Sequence, residues 1–117
     1  MLGGPDDDTL GGDPGDDFMR GGSGNDYYLY SPGAGVDTID NQDGGMDWII
    51  FTDDLSEERL SFLRNGDDLV IQVDQDPASQ VIVTNWFLGD TYQVDYVMPA
   101  GGYGIPAATI TQIANSP

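Results

Sequence analysis

The sequence predicts an all-β fold: a parallel β-roll, or β-solenoid, of nonapeptide repeats, capped by a C-terminal β-rich region with a short helix. Three observations carry this expectation. Asp8, Asp17 and Asp26 are spaced by nine, and each is followed two places on by a large apolar residue, Leu10, Met19 and Tyr28. Glycine crowds the same region, with 12 of the 17 glycines lying before residue 46. From Leu55 onward the pattern changes to that of ordinary half-buried strands.

Composition narrows the function classes. The 117 residues hold 21 acids against 3 arginines, with no Lys, His or Cys, for a net charge of −18. All but Glu57 and Glu58 of the acids are Asp. Without Cys or His there is no disulfide framework, no zinc site of the usual kind and no Ser-His or Cys nucleophile. Three arginines give no basic footprint for nucleic acid or anionic lipid. No apolar run approaches the roughly 18 residues of a membrane-spanning helix, and no signal peptide is visible. The surface that remains attracts a hard cation.

The repeat units follow in order. Gly21-Gly22-Ser23-Gly24-Asn25-Asp26-Tyr27-Tyr28-Leu29 fits G-G-x-G-x-D-x-U-x at every position, where U is a large apolar residue. One period earlier, Gly12-Asp13-Pro14-Gly15-Asp16-Asp17-Phe18-Met19-Arg20 fits with one glycine lost. Before that, Gly3-Gly4-Pro5-Asp6-Asp7-Asp8-Thr9-Leu10-Gly11 fits with Asp6 in place of the third glycine. Two looser copies follow, Gly33-Ala34-Gly35-Val36-Asp37-Thr38-Ile39 and Gly44-Gly45-Met46-Asp47-Trp48-Ile49.

This pattern resembles the RTX, or haemolysin-type, calcium-binding repeat. The likeness covers residues 3–50. The segments from Asp54 to Phe62, Asn65 to Ile71 and Val81 to Phe87 look like the C-terminal flank that follows such repeats in type I-secreted bacterial proteins.

The unit has a physical logic. G-G-x-G-x-D makes a turn whose positive φ angles glycine adopts at little steric cost. The triplet x-U-x makes a short strand with U inward, so Leu10, Met19, Tyr28, Ile39 and Ile49 are the expected core. Two nonapeptides complete a coil, so turns n and n+2 lie one strand spacing apart, about 4.8 Å. Backbone carbonyls and two Asp carboxylates would then cage a cation. Acidic oxygen-only ligation is what Ca²⁺ selects. Counting pairs Asp8 with Asp26, Asp17 with Asp37, and Asp26 with Asp47, about three ions in all. The turn glycines Gly3, Gly12, Gly15, Gly21, Gly22, Gly24, Gly33, Gly35 and Gly45 supply the expected carbonyls. An EF-hand is rejected because the acidic run lacks a Glu at loop position twelve. The G-x-G pieces lack the third glycine and following helix of a dinucleotide site.

The second half, residues 51–117, reads as flank and cap to repeats at 1–50. Ser56 caps a helical turn over Leu55 to Arg59. Leu60 to Arg64 and Leu69 to Val73 are strands joined at Asn65-Gly66. Asp74 to Pro77 is a turn, Gln80 to Thr84 a strand, and Gln93 to Met98 a strand with Val94, Tyr96 and Met98 on one face. Ala107 to Ala114 is a short helix. Trp86 is the expected core anchor, while Phe18, Tyr27 and Trp48 sit at the outward strand position.

No catalytic constellation is present, so the chain is expected not to be an enzyme. It reads as a calcium-dependent folding module, secreted and extracellular, monomeric, with calcium as its partner. The charge of −18 opposes collapse until cations bind. The resemblance implies export of the unfolded chain by type I secretion machinery, as part of a larger toxin, protease, lipase or adhesin. The alternative is an adhesin-like ligand-binding module that calcium rigidifies.

Overall fold

The structure, a computed structural model, describes residues 9–11, 16–22, 24–31, 35–41, 46–52, 55–88 and 92–115. Short strands come first: β1 (Thr9–Gly11), β2 (Asp17–Met19), β3 (Tyr27–Tyr30), β4 (Val36–Ile39) and β5 (Trp48–Phe51). Each begins beside an aspartate and carries the inward apolar residue its repeat unit prescribes. Leu10, Met19, Tyr28, Ile39 and Ile49 are all buried. The neighbouring positions Phe18 and Tyr27 face outward and are exposed.

A 3₁₀ turn at Glu57–Arg59 leads into β6 (Leu60–Asn65), β7 (Asp68–Val73) and β8 (Asp76–Val83). Ser56 precedes that turn, but its side chain makes no capping hydrogen bond. β6 and β7 form the expected hairpin, with Asn65 opposite Asp68 and Gly66 at φ +64°. β8 starts at Asp76, earlier than expected. Asp74 and Gln75 both take positive φ, so these two residues alone complete the turn. A second 3₁₀ turn, Trp86–Leu88, precedes β9 (Tyr96–Met98), β10 (Ile105–Pro106) and helix α1 (Ala107–Ala114).

The strands form two sheets of five, ordered β1-β3-β5-β9-β10 and β2-β4-β8-β7-β6. Alternate short strands pair in parallel, Tyr28 opposite Leu10 and Ile49, and Met19 opposite Ile39. In the first sheet β9 extends the parallel run and β10 turns antiparallel. In the second, β8 joins β4 in parallel, while β7 and β6 are antiparallel.

This corrects the predicted architecture. The chain is not a parallel β-roll, or β-solenoid, closed by a C-terminal cap. It is a pair of mixed five-stranded sheets around one core. The reason lies in β8 and β9. Both are interior strands that continue ladders begun by the repeat units, so the second half is built into the sheets. Residues from both sheets join Leu55, Trp86, Val94 and Ile110 in a single apolar cluster. Trp86 is fully buried, as a core anchor should be. The face expected of the strand at 93–98 is also corrected. Trp48 aligns with Tyr96, which turns Val97 inward against Ile49 and leaves Tyr96 and Met98 half-exposed.

Candidate functional site

Parallel register stacks aspartates on aspartates. Asp17 lies opposite Asp37 in the second sheet. In the first, Asp26, Asp47 and Asp95 each precede the strand residues Tyr27, Trp48 and Tyr96, which are aligned in one row. The same contact recurs at three rungs. The Asp17 N–H donates to Asp37 Oδ1 at 3.2 Å, the Asp26 N–H to Asp47 Oδ1 at 2.8 Å, and the Asp47 N–H to Asp95 Oδ2 at 2.9 Å. The preceding residues add parallel contacts: Val36 N–H donates to Asp16 Oδ1 at 3.0 Å and Met46 N–H to Asn25 Oδ1 at 2.8 Å.

Three of these carboxyls lie in the interior. Asp26, Asp37 and Asp47 are 0% exposed. Oδ2 of Asp17, Asp37 and Asp47 accepts no hydrogen bond among the described residues. Burying a carboxylate is costly unless it is paired. Desolvation accordingly raises Asp37 to about 6, opposed by the Asp17 N–H and reinforced by the charges of Asp17 and Asp16. Asp47 is also raised to about 6, first by desolvation, against hydrogen bonds from Asp26 and Asn41 and with the charges of Asp26 and Asp95. The arginines are engaged elsewhere: Arg20 with Asp40 at 3.0 Å, Arg59 with Asp74 at 2.6 Å, and Arg64 over the Phe87 ring at 4.3 Å.

The turn glycines fit the tight geometry. Gly22 and Gly24 take φ of +82° and +93° ahead of Asp26, and Gly35 takes +81° ahead of Asp37. Gly21 is buried between the Asp26 carboxylate and the Tyr28 hydroxyl, and a Cβ there would lie 2.5 Å from that hydroxyl. Asp8, Gly3, Gly12, Gly15, Gly33 and Gly45 lie outside the described residues, so the expected Asp8–Asp26 pair does too. The two other expected pairs, Asp17 with Asp37 and Asp26 with Asp47, are brought together. Among the described residues no three acidic side chains converge on one point. The acids instead form columns one strand apart, so a cation held here draws on two carboxylates and backbone carbonyls.

Sequence reasoning missed Asp95. Its signal was present, because Val97 follows it by two as Leu10 follows Asp8. No glycine turn precedes it, and it stands 48 residues beyond Asp47. Asn41 was missed as well, a wholly buried polar side chain beside Asp47.

Among known proteins, the chain is similar to the iron-regulated protein FrpA of Neisseria meningitidis serogroup C. The two are 35% identical over 92 residues, covering 74% of this chain and 8% of that protein. The chain therefore spans a small fraction of the relative it matches. No family model matches it. The resemblance to the RTX family is corrected accordingly. A partial match to a much longer protein and a mixed two-sheet fold do not place the chain in that family. Among the described residues no helix is long and apolar enough to cross a membrane.

Proposed function

We propose that the chain is a calcium-binding module whose folding is driven by the ion. The observation that carries this reading is Asp47. Its side chain is 0% exposed, Oδ1 takes the Asp26 N–H, Asn41 lies beside it, and among the described residues Oδ2 accepts no hydrogen bond. A group in that state is stabilised by a hard cation shared with the stacked Asp26. Asp17 and Asp37 repeat the arrangement in the other sheet. Carbonyls of Gly21, Gly22, Gly24 and Gly35 are near enough in sequence to complete oxygen shells, and Ca²⁺ tolerates such irregular six- to eight-fold ligation better than Mg²⁺. Asp8 and the remaining turn glycines extend the same scheme to about three ions.

Binding to the folded state alone adds directly to folding free energy. Calcium is millimolar outside cells and far scarcer in the cytosol. The module would remain unfolded during export and fold on arrival, as part of a larger secreted protein such as a toxin, protease, lipase or adhesin. Similarity to a segment of FrpA supports a place within a longer chain. A titration of the full chain with Ca²⁺ and with Mg²⁺, followed by circular dichroism, tests this: Ca²⁺ alone should induce β-structure at millimolar concentration.

A second reading is a calcium-rigidified ligand-binding module. Tyr27, Trp48 and Tyr96 form one outward row on the first sheet, the Trp48 and Tyr96 rings stacked at 4.5 Å. A saccharide-dependent change in tryptophan emission would favour it.

A further inference from the structure

A line of buried and part-buried hydrogen bonds runs from the Gly21 turn into the C-terminal half. The Gly21 N–H donates to the Tyr28 hydroxyl at 2.8 Å, and that hydroxyl donates to Asn41 Oδ1 at 3.0 Å. Asn41 Nδ2 donates to the Gln93 carbonyl at 3.0 Å. Gln93 Nε2 then donates to the Trp86 carbonyl at 2.9 Å, and Trp86 Nε1 to Thr111 Oγ1 on α1 at 2.9 Å.

The direction of each bond is fixed by chemistry. A backbone N–H only donates, so the phenol oxygen must accept from Gly21 and its single proton must go to Asn41. A carbonyl only accepts, so the Asn41 amide must face Gln93 with its nitrogen. Packing alone does not call for these polar atoms. The neighbours of Tyr28 along the sheet, Leu10 and Ile49, fill the same core with hydrocarbon.

We infer that the Tyr28 hydroxyl and the Asn41 side chain are positioning residues for the Asp26–Asp47 cation cage, tying the Gly21 turn to the C-terminal segment at Gln93. The inference rests on the calcium reading above and adds a coupling to it. Tyr28 lies against Gly21, whose Cα also faces the Asp26 carboxylate, while Asn41 lies against Asp47. The cage is thereby set to its geometry only when Gln93 and Trp86 are seated. Outer contacts of this kind typically change metal affinity about 10- to 100-fold when removed.

The test compares the full chain with Tyr28→Phe, Asn41→Ala and Val83→Ala, the last a core change in the second sheet. For each, the thermal midpoint is measured at saturating Ca²⁺ and the Ca²⁺ concentration for half-folding at a fixed temperature. Tyr28→Phe and Asn41→Ala should need roughly 10-fold more calcium than the value that Val83→Ala shows for the same loss of thermal midpoint. Calcium requirements that simply track the loss of midpoint in all three would overturn the inference while leaving the calcium reading intact. A parent chain that folds equally well without calcium would overturn both.

Discussion

Asp47 stands one strand along from Asp26 and takes its backbone N–H at 2.8 Å, while Asp95 takes the N–H of Asp47 at 2.9 Å. Asp47 and Asp95 thus each hold the backbone of the preceding rung. Asp47 is the middle member, so it is both held and holding.

Substitution along this column should give a graded response. Asp26→Asn and Asp47→Asn keep side-chain shape but remove charge from the cage, and should raise the calcium needed for half-folding by about 10-fold or more. Asp95→Asn keeps an oxygen for the Asp47 N–H and should shift it less. Asp40→Asn, whose carboxyl pairs with Arg20 and not with a stacked aspartate, should shift it least. Circular dichroism during calcium titration reads all four, and an Asp40→Asn effect equal to that of Asp47→Asn would show that the ligand register is wrong.

Acid should partly replace calcium. The folded carboxyls of Asp37 and Asp47 have pKa values of about 6 against 3.8 for the unreacted group. Without metal the folded state holds those protons more tightly than the unfolded chain. Its stability is therefore greatest below about pH 4 and falls as pH rises through 6. With calcium the sign reverses, because the ion requires ionised carboxylates. In chelator the β-sheet signal should be present near pH 4 and lost toward pH 7, and thermal midpoints in millimolar calcium should rise over the same window.

The first half should not fold alone. β4 pairs with β8 and β5 with β9, so a fragment ending at Asp54 would leave both sheets without their central partners. Such a fragment should give a coil-like spectrum even in millimolar calcium. Trp86→Ala should fall between it and the full chain. The residue is fully buried, and the cavity left should cost about 3–5 kcal/mol, read from urea unfolding in calcium.

Much of this arrangement was legible in the residues because the repeat couples two periodicities. The nine-residue spacing placed Asp17 and Asp26, and the position two further on placed Met19 and Tyr28 in the core. The hairpin at Gly66 and the helix from Ala107 to Ala114 were legible from turn chemistry and local pattern. What a local pattern does not encode is which distant strand completes a ladder. The parallel pairing of Val81 with Asp37 and of Tyr96 with Trp48 spans more than 40 residues, and it converts a capped roll into two mixed sheets. The same long-range pairing brings Asp95 to Asp47 and Gln93 to Asn41, contacts invisible to spacing within the repeats.

The central claim is that calcium and folding are one equilibrium in this chain. Far-UV circular dichroism of the full chain at neutral pH, first in EGTA and then in millimolar Ca²⁺, tests it most directly. A coil-like spectrum in chelator that becomes a β-sheet spectrum on calcium addition is the predicted result. The same β-content in both conditions would contradict it.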